Sequence, residues 1–470
     1  MATFFIQNFG CRATQADADA IRHSFRARGY AAAESDACAN IVVLNTCTVT
    51  AAADAEARES IRRIHRQNPA AQIIATGCYA QRAPEELAAL PGVSWVVGNS
   101  HQHAISELAA RIVANGPTNF VPLGAISAVS VNATSASSRI FREEMSAHLA
   151  PIAFPYHSDD STADALNNNL AAAHTRPTLK IQDGCNHRCA YCVIPLVRGR
   201  SRSLAPAAVL GEIHRLVQTG IQEIVLSGID LGSYGHDLTP RISLHALVRR
   251  IIDETNLPSL RLSSIEPIDI TQDFIALVAA EPRIAPHFHM PLQSGSDRIL
   301  RAMHRWYRAA HYARRVELIR ATLPHAAIGA DVIVGFPGET SEDHTATMNF
   351  ISALPLSYLH VFSFSPRPGT EAANLPGAVP AHIIHQRARE LRALAQQKSQ
   401  QFRISQQGRK TRALTLDRRG PNWTGAITGN YLNVRVAGSW PRNRWLEVKI
   451  PADSASLALV ALYPALQNTA

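Results

Sequence analysis

Short apolar runs alternate with charged, alanine-rich stretches along the first 117 residues. The apolar runs contain β-branched residues and end in Gly, Asn or Cys, as buried strands do. The stretch at 51–68 has the length and the charged face of a surface helix. Strands that alternate with helices predict a small parallel α/β domain. The predicted strands are 3–10, 40–47, 72–78 and 94–99.

A strand-then-helix pattern occurs six times between residue 178 and about residue 402. Amphipathic stretches of helical length follow the apolar runs, for example at 206–219 and 308–322, and the last predicted helix, about 380–406, is long. Six consecutive βα units predict a partial parallel (β/α)6 barrel, with its chemistry at the C-terminal ends of the strands. The predicted strands are 178–184, 223–228, 259–266, 287–294, 327–337 and 358–366.

The remaining segments have different patterns. Residues 118–174 are rich in Ala, Ser and Asn without periodicity, which predicts a low-complexity linker or insertion. Residues 404–468 change to short alternating strands between Gly, Pro and Asn, which predicts a small all-β barrel. The sequence therefore predicts an α/β protein with an N-terminal domain at 1–117, a barrel at 175–403 and a C-terminal β-barrel.

Length and composition favour a multidomain globular protein. The chain has 470 residues, of which 46% are hydrophobic and 18% charged, and this length exceeds what one hydrophobic core supports. The N-terminus lacks the pattern of a signal peptide, and no apolar stretch of about 18 residues follows. We therefore expect a cytoplasmic protein without membrane contact. In that compartment the seven cysteines suit metal binding or catalysis better than disulfides.

Positive charge is concentrated near the C-terminus. The formal net charge is +9, and residues 401–450 contain ten Lys or Arg against two acids. Such a segment attracts polyanions, because each phosphate that it neutralises releases counterions. Nucleic acid is the simplest partner that this charge predicts.

The segment "DGCNHRCAYCVIP" at 183–195 contains Cys185, Cys189 and Cys192 directly after the first predicted barrel strand. Thiolates select soft metals, so the motif suits zinc or an iron-sulfur cluster. A structural zinc site requires a fourth ligand, and His187 is the available candidate. Three cysteines on a four-iron cluster instead leave one iron open for a reactant. The spacing alone leaves both interpretations open.

A second cysteine set lies in the N-terminal domain. Cys11, Cys47 and Cys78 each follow a predicted strand. Parallel strands bring their C-terminal loops together, which favours one shared metal centre over the alternative of three buried free thiols. Cys38 lies outside this pattern and is interpreted as a structural thiol.

The C-x3-C-x-aromatic-C motif after the first strand of a βα repeat resembles the radical S-adenosylmethionine (SAM) superfamily. The resemblance implies that the three cysteines of the motif have a catalytic role, because the open iron of their cluster binds SAM and the cluster cleaves it to a 5′-deoxyadenosyl radical. It also implies that Tyr191 lies beside the adenine. Small or polar residues at the strand ends are further candidates for SAM binding: Gly228, Ser264, Glu266, Gln293 and Ser294.

Both cysteine sets together resemble the methylthiotransferases, radical SAM enzymes with a second cluster in their N-terminal domain. The segments "NTCTVT", "GSYGHDL" (232–238), "SSIEP" (263–267) and "LQSGSDRIL" (292–300) are most similar to the branch that acts on N6-threonylcarbamoyladenosine at tRNA position 37. One departure is Thr14, where the family pattern has Asn.

The resemblance implies two [4Fe–4S] clusters and two SAM molecules. One SAM supplies a methyl group to sulfur held at the cluster of Cys11, Cys47 and Cys78. The other, at the cluster of the 185–192 motif, yields the radical that removes hydrogen from adenine C2. An electron donor and a sulfur source are also required, and the sequence identifies neither.

The basic C-terminal barrel resembles the TRAM-like RNA-binding barrels of tRNA-modifying enzymes, which implies a tRNA anticodon loop as the partner. Trp423, Tyr431, Trp440 and Trp445 are interleaved with arginines and either stack on bases or fill a small core. The candidates for RNA binding are Arg409, Lys410, Arg412, Arg418, Arg419 and Arg435.

Two alternatives remain at the level of sequence. The first is a non-catalytic, zinc-stabilised RNA-binding protein, which would contain zinc but no iron or acid-labile sulfide. The second keeps the radical chemistry but changes the target to N6-isopentenyladenosine in tRNA or to an aspartate of a ribosomal protein.

Overall fold

The structure is a computed structural model that describes residues 2–115, 139–145, 152, 175–451 and 459–462. Most of the predicted insertion at 118–174 therefore lies outside the described residues. The chain packs as two compact units: the first contains Met1–Leu170, Gln182–Arg202 and Ser365–Ala373, and the second contains Ala171–Ile181, Ser203–Phe364 and Asn374–Ala470. The predicted domain boundaries stay a prediction, since packing groups the cysteine motif with the N-terminal segment.

The first unit contains a six-stranded parallel sheet. Its strands are β1 (Thr3–Asn8), β2 (Ala31–Ala32), β3 (Ile41–Thr46), β4 (Gln72–Gly77), β5 (Val93–Val97) and β6 (Ile140–Phe141). Their order is β2-β1-β3-β4-β5-β6. The four longer strands were predicted. The two-residue strands β2 and β6 were not, because two residues leave no periodicity to read.

Helices cover both faces of this sheet. Val43 of β3 packs in a cluster with residues of α1 and α5, whereas its neighbour Val42 packs with residues of α2. Successive strand residues point to opposite faces, so a strand that is apolar throughout is buried on both. The helices are α1 (Arg12–Ala27), α2 (Ala51–Gln67), α3 (Cys78–Arg82), α4 (Pro84–Ala88), α5 (Ile105–Asn115) and α6 (Ile194–Arg198), with 3-10 turns at Asp36–Cys38 and Asn99–Ala104.

The second unit contains the six predicted parallel strands of the barrel. They are β7 (Thr178–Lys180), β10 (Ile224–Ser227), β11 (Leu260–Leu262), β12 (His287–His289), β13 (Ala327–Val334) and β14 (Tyr358–Ser363); two short strands, β8 (Gln182–Asp183) and β9 (Arg202–Ser203), flank the cysteine motif. β7-β10-β11 and β12-β13-β14 form two sheets, and a parallel bridge between Ser264 and His289 joins them. The strand order therefore follows the chain, as a partial barrel requires.

Amphipathic helices follow these strands. In α8 (Leu244–Glu254), the buried residues Leu244, Leu247, Val248 and Ile251 recur at helical spacing, and the Ser243 hydroxyl accepts a hydrogen bond from the third residue of the helix. The remaining helices are α7 (Pro206–Gln218), α9 (Gln272–Ala280), α10 (Asp297–Ala302), α11 (Ala309–Thr322), α12 (Ser341–Ala353) and α13 (Ala381–Ser405).

The C-terminal segment closes into a small barrel. Its strands are β15 (Lys410–Gly420), β16 (Trp423–Thr428), β17 (Asn433–Ala437), β18 (Trp445–Lys449) and β19 (Leu459–Leu462). The order is β15-β16-β17-β19-β18, and all neighbours are antiparallel except β17 and β19. The predicted fold class, with an N-terminal parallel α/β domain, a partial (β/α)6 barrel and a C-terminal all-β barrel, is confirmed. Within the described ranges, no helix is both long and apolar enough to cross a membrane.

Candidate metal centres

Three cysteines of the first unit follow three neighbouring strands. Cys11, Cys47 and Cys78 lie within three residues of the C-terminal ends of β1, β3 and β4, which are adjacent in the sheet. Thr46 pairs with Gly77, so the two cysteines that follow these residues leave the sheet side by side. Neighbouring strands are about 4.8 Å apart, and the three thiols therefore lie at one edge of the sheet.

A glycine precedes two of these cysteines for steric reasons. Gly10 has a φ of 106° and Gly77 a φ of 94°, a backbone region that favours glycine. A Cβ on Gly77 would lie 2.3 Å from the carbonyl oxygen of Thr46, and a Cβ on Gly10 would lie 2.7 Å from the Cβ of Cys47. The sharp turns that direct the cysteines along this edge therefore depend on glycine.

The surroundings of these thiols fit a soft metal centre. Cys47 and Cys78 are buried, whereas Cys11 is exposed. Burial raises the pKa of Cys47 to about 12, and the neighbouring Cys78 and Cys11 act in the same direction. Burial also raises the pKa of Cys78. Burial thus favours the protonated thiols. A bound metal favours the thiolates instead, because a thiol that coordinates a cation is deprotonated.

The three thiols of each cysteine set are not gathered around one ion position. In a tetrahedral zinc site the sulfurs lie about 3.8 Å apart. In the described parts of the chain, the sulfurs of Cys11, Cys47 and Cys78 do not all lie within 4.8 Å of one another. The same is true of the three sulfurs of the 185–192 motif. The three sulfurs of each set are therefore spaced more widely than the ligands of one zinc ion.

The motif at 185–192 is folded by its own backbone. The N–H of Cys185 donates to the carbonyl of Gly199 at 3.0 Å, and the N–H of Cys192 donates to the carbonyl of Cys189 at 3.0 Å. All three cysteines, like Tyr191, are partly exposed. The thiols therefore remain accessible to a cluster, while the backbone of the loop is already ordered.

Arg198 connects this loop to the other cysteine set within the first unit. It is 2% exposed, and its guanidinium binds Asp17 at 2.8 Å and Asp183 at 3.1 Å. Burial raises the pKa of the Cys78 thiol, and the positive charge of Arg198 acts in the opposite direction. Val197, one residue earlier in α6, packs against the same cysteine. The helix that follows the 185–192 motif therefore lies directly against the buried end of the Cys11, Cys47 and Cys78 set.

A second buried carboxylate anchors another segment of this unit. Asp54 of α2 accepts hydrogen bonds from Arg82 at 3.0 Å and from Arg367 at 2.6 Å. The N–H of Ala372 donates to the carbonyl of Ala190, inside the cysteine motif, at 2.8 Å. Residues 365–373 are thereby attached to the unit near both of their ends.

Sequence reasoning missed these buried charges. Asp17 lies in an alanine-rich helix and Arg198 in a run of arginines after the motif, and both read as solvent-facing residues. The spacing of Asp17 could have indicated that it is buried, since Asp17 shares a face of α1 with the buried Ala13 and Ile21. An acid at such a position predicts a buried partner.

Cys38 also differs from the expectation. It is exposed, so it does not pack in the core as a structural thiol would. Its sulfur lies 3.5 Å from the hydroxyl of Ser35, and that hydrogen bond lowers its pKa.

The predicted SAM-binding residues lie at the C-terminal ends of β10, β11 and β12 in the second unit. Gly228 follows β10, and Ser264 follows β11. Gln293 has a φ of 66° and bridges to Val332 of β13. The structure therefore brings Ser264 and Gln293 into the layer of strand ends where the chemistry of such barrels occurs.

The other two candidates have partners of their own. Glu266 forms an ion pair with the buried Arg305. The hydroxyl of Ser294 lies 3.2 Å from that of Thr347, and Ser294 is 1% exposed. Contact of any of these residues with SAM stays a prediction.

The predicted RNA-binding residues lie on the C-terminal barrel. The guanidinium carbon of Arg412 lies 4.7 Å from the ring centre of Trp445, and that of Arg435 lies 4.5 Å from the ring centre of Trp423. Tyr431 and Trp440 instead pack against the barrel core, as the alternative interpretation expected. Of the remaining candidates, Arg409 is half-buried, whereas Lys410, Arg418 and Arg419 are exposed.

A six-stranded partial barrel and a three-cysteine motif after its first strand define the class. Residues 179–351 match the radical SAM superfamily, and residues 3–98 match the uncharacterized protein family UPF0004. The threonylcarbamoyladenosine tRNA methylthiotransferase MtaB of Aquifex aeolicus is 34% identical over 92% of this chain and 96% of its own length. The tRNA-2-methylthio-N(6)-dimethylallyladenosine synthase of Acidothermus cellulolyticus is 31% identical over 98% of this chain and 86% of its own length. The chain belongs to the radical SAM tRNA methylthiotransferases.

A solved structure agrees at the level of fold. The radical SAM methyltransferase TsrM of Kitasatospora setae, solved with cobalamin and a [4Fe–4S] cluster, superposes with a TM-score of 0.54 over 79% of this chain and 74% of that chain, at 18% identity. The predictions of an enzyme of this class, and of an iron-sulfur cluster and SAM as its cofactors, are confirmed by the family.

Proposed function

We propose that this enzyme transfers a methylthio group to C2 of N6-threonylcarbamoyladenosine at position 37 of tRNA. The observation that carries the proposal is the arrangement in the first unit: three strand-end cysteines lie at one sheet edge, and the helix of the 185–192 motif packs against Cys78 through Val197 and is tied to α1 by Arg198. Two soft metal centres in one packed unit suit a reaction that combines a radical with a sulfur donor.

The cysteines have separate roles in this proposal. Cys185, Cys189 and Cys192 hold the cluster that binds SAM, and Cys11, Cys47 and Cys78 hold the auxiliary cluster. When bound, these groups supply the methyl group, the sulfur and the 5′-deoxyadenosyl radical of the reaction. Tyr191 packs beside the adenine of SAM, and the strand-end residues of β10, β11 and β12 bind its polar groups.

The protein residues keep the reacting groups in position and dry. The fully buried network of Arg198, Asp17 and Asp183 fixes the cysteine loop relative to the auxiliary cysteines, because it ties α6 to α1 and to β8. A rigid attachment of this kind supports reaction at a fixed separation, and exclusion of water protects a radical intermediate.

The C-terminal barrel binds the anticodon loop in this proposal. Exposed Arg418 and Arg419 and the two arginine-covered tryptophans provide phosphate contacts and stacking surfaces. We assign residues 1–117 to the auxiliary-cluster domain, 175–403 to the radical SAM domain and 404–468 to a TRAM-like domain. The enzyme acts in the cytoplasm with an electron donor and a sulfur source that are still to be identified.

Nucleoside mass spectrometry tests the substrate. The chain is expressed in a bacterial strain that lacks its own methylthiotransferases for both nucleosides, and total tRNA is digested and analysed. We expect 2-methylthio-N6-threonylcarbamoyladenosine to appear and N6-isopentenyladenosine to stay unmodified. Methylthiolation of the isopentenyl nucleoside alone would assign the chain to that substrate instead, as in the Acidothermus relative.

Single cysteine variants test the division of roles. Cys189→Ala is expected to abolish SAM cleavage, whereas Cys78→Ala is expected to retain cleavage without sulfur insertion. Cys38→Ala is the matched control, because this exposed cysteine belongs to neither set. Equal SAM cleavage by the Cys189→Ala and Cys78→Ala proteins would contradict the assignment.

A further inference from the structure

Two histidines and an aspartate meet on three adjacent strands of the second unit. His289 ends β12, Asp331 lies in β13 and His360 lies in β14. Asp331 pairs directly with His360, while His289 pairs with Gly329, two residues before Asp331 and on the same face. The strand register therefore brings the three side chains together, although they are far apart in the sequence.

The distances between their ligating atoms suit a single metal ion. Nε2 of His289 lies 3.0 Å from Oδ1 of Asp331, and Nδ1 of His360 lies 3.1 Å from the same oxygen. The ligating atoms of the three residues all lie within 4.8 Å of one another. In a tetrahedral zinc site with bonds of about 2.1 Å, neighbouring ligand atoms are about 3.4 Å apart.

A second layer of hydrogen bonds orients one of the histidines. The other ring nitrogen of His289, Nδ1, lies 3.0 Å from the Tyr358 hydroxyl, which in turn lies 2.7 Å from Nε2 of His287. Metal-binding histidines usually have their second nitrogen held in this way, which fixes the ring and its tautomer. Nε2 of His289 is thereby directed at Asp331.

Gly329 leaves the space that this arrangement requires. A Cβ on Gly329 would lie 2.1 Å from the ring of Tyr358, so only glycine lets that ring cross β13 to reach His289. The exposure of the side chains rises from 8% for His289 through 21% for Asp331 to 55% for His360. The set is thus buried at one end and open to solvent at the other.

We propose that His289, Asp331 and His360 form a binding site for a divalent transition-metal ion such as Zn²⁺. Two imidazoles and one carboxylate are a common ligand set for catalytic zinc and for non-haem iron, and they leave coordination positions open. The open side at His360 gives the ion an entry path and gives a water or an anionic group access to it. This site contains no cysteine and none of the residues that the proposed tRNA reaction assigns to the clusters or to SAM.

Metal analysis of the full-length protein tests this site. The protein is purified anaerobically with its clusters, equilibrated with buffered Zn²⁺ and dialysed, and zinc, iron and acid-labile sulfide are counted. We expect about one zinc per chain, with nitrogen and oxygen neighbours at about 2.0–2.2 Å in X-ray absorption spectra and no sulfur at about 2.3 Å. Asp331→Asn and His360→Ala are expected to lower retained zinc at least tenfold without changing iron or sulfide.

The control variant is His382→Ala, which removes an exposed histidine from α13 in the same unit. It is expected to retain zinc like the wild type. Absence of zinc from the wild type, sulfur in the zinc coordination shell, or equal zinc in the Asp331→Asn protein would each overturn the proposal. Unchanged iron and sulfide in the variants shows that the variants fold. A failure of this site can then be distinguished from a failure of the iron-sulfur assignment.

Discussion

Replacement of Arg198 by Met is the sharpest test of the buried network that connects the two cysteine sets. The substitution keeps an apolar stem but removes the charge between Asp17 and Asp183, whose side chains are only 3% and 9% exposed. Breaking a buried ion pair by removing one partner costs about 3–5 kcal/mol, because the other charge stays buried without that partner. This cost is a large part of the free energy of unfolding of a typical domain, which is about 5–15 kcal/mol.

Hydrogen exchange measured by mass spectrometry reports this destabilisation locally. Peptides from α1 and α6 are expected to lose a factor of about 150 or more in protection, since each 1.4 kcal/mol is about tenfold. Arg200→Met is the matched control, because Arg200 is an exposed arginine two residues away and surface substitutions change stability by about 0.5 kcal/mol or less.

The addition of Asp17→Asn to Arg198→Met extends the test, because it removes one of the two carboxylates that Arg198 binds. Protection in α1 is expected to recover in part in the double variant. Equal protection in the Arg198→Met and Arg200→Met proteins would refute the view that this network holds α6 in place.

Three other measurements follow from the same structure. In protein freed of clusters, brief alkylation at pH 8 is expected to modify Cys38, whose pKa is lowered by Ser35, and to spare Cys47, whose pKa burial raises to about 12; equal labelling of both would contradict these surroundings. Glu223 is buried, which favours its neutral form, but Arg261 and Arg176 outweigh burial and lower its pKa, so its contribution to stability is present above about pH 4.3 and lost as pH falls through the lowered pKa. Arg261→Met is therefore expected to destabilise the second unit by about 3–5 kcal/mol at pH 7 and by progressively less below about pH 4, and a pH-independent difference would count against the ion pair as the cause. Finally, Arg418→Gln with Arg419→Gln is expected to reduce the slope of tRNA affinity against salt by about 0.7–0.9 for each phosphate that these arginines neutralise, whereas an unchanged slope would remove these residues from the RNA surface.

The sequence predicted the elements whose patterns are long or repeated. The six barrel strands and the four longer strands of the N-terminal sheet followed from apolar periodicity, and the placement of a cysteine after three of those strands followed from the same pattern. The short strands β2 and β6 did not, since each contains two residues.

Interactions between residues distant in the sequence were beyond such reasoning. Arg198 and Asp17 are separated by 181 positions, and a lone charge of either sign in a polar stretch predicts exposure. The His289, Asp331 and His360 set depends on strand register, which no local pattern specifies. Register is a property of the assembled sheet, so these residues become visible only together.

The membership of the 182–202 loop in the first unit limits how the enzyme can be divided. A fragment cut at the start of the barrel pattern would carry Arg198 away from Asp17 and strip the apolar cover from Cys78. Each half would then expose a charge or a thiol that the intact chain keeps from water. Domain exchange between relatives should therefore succeed only when the N-terminal segment and this loop are inherited from the same parent.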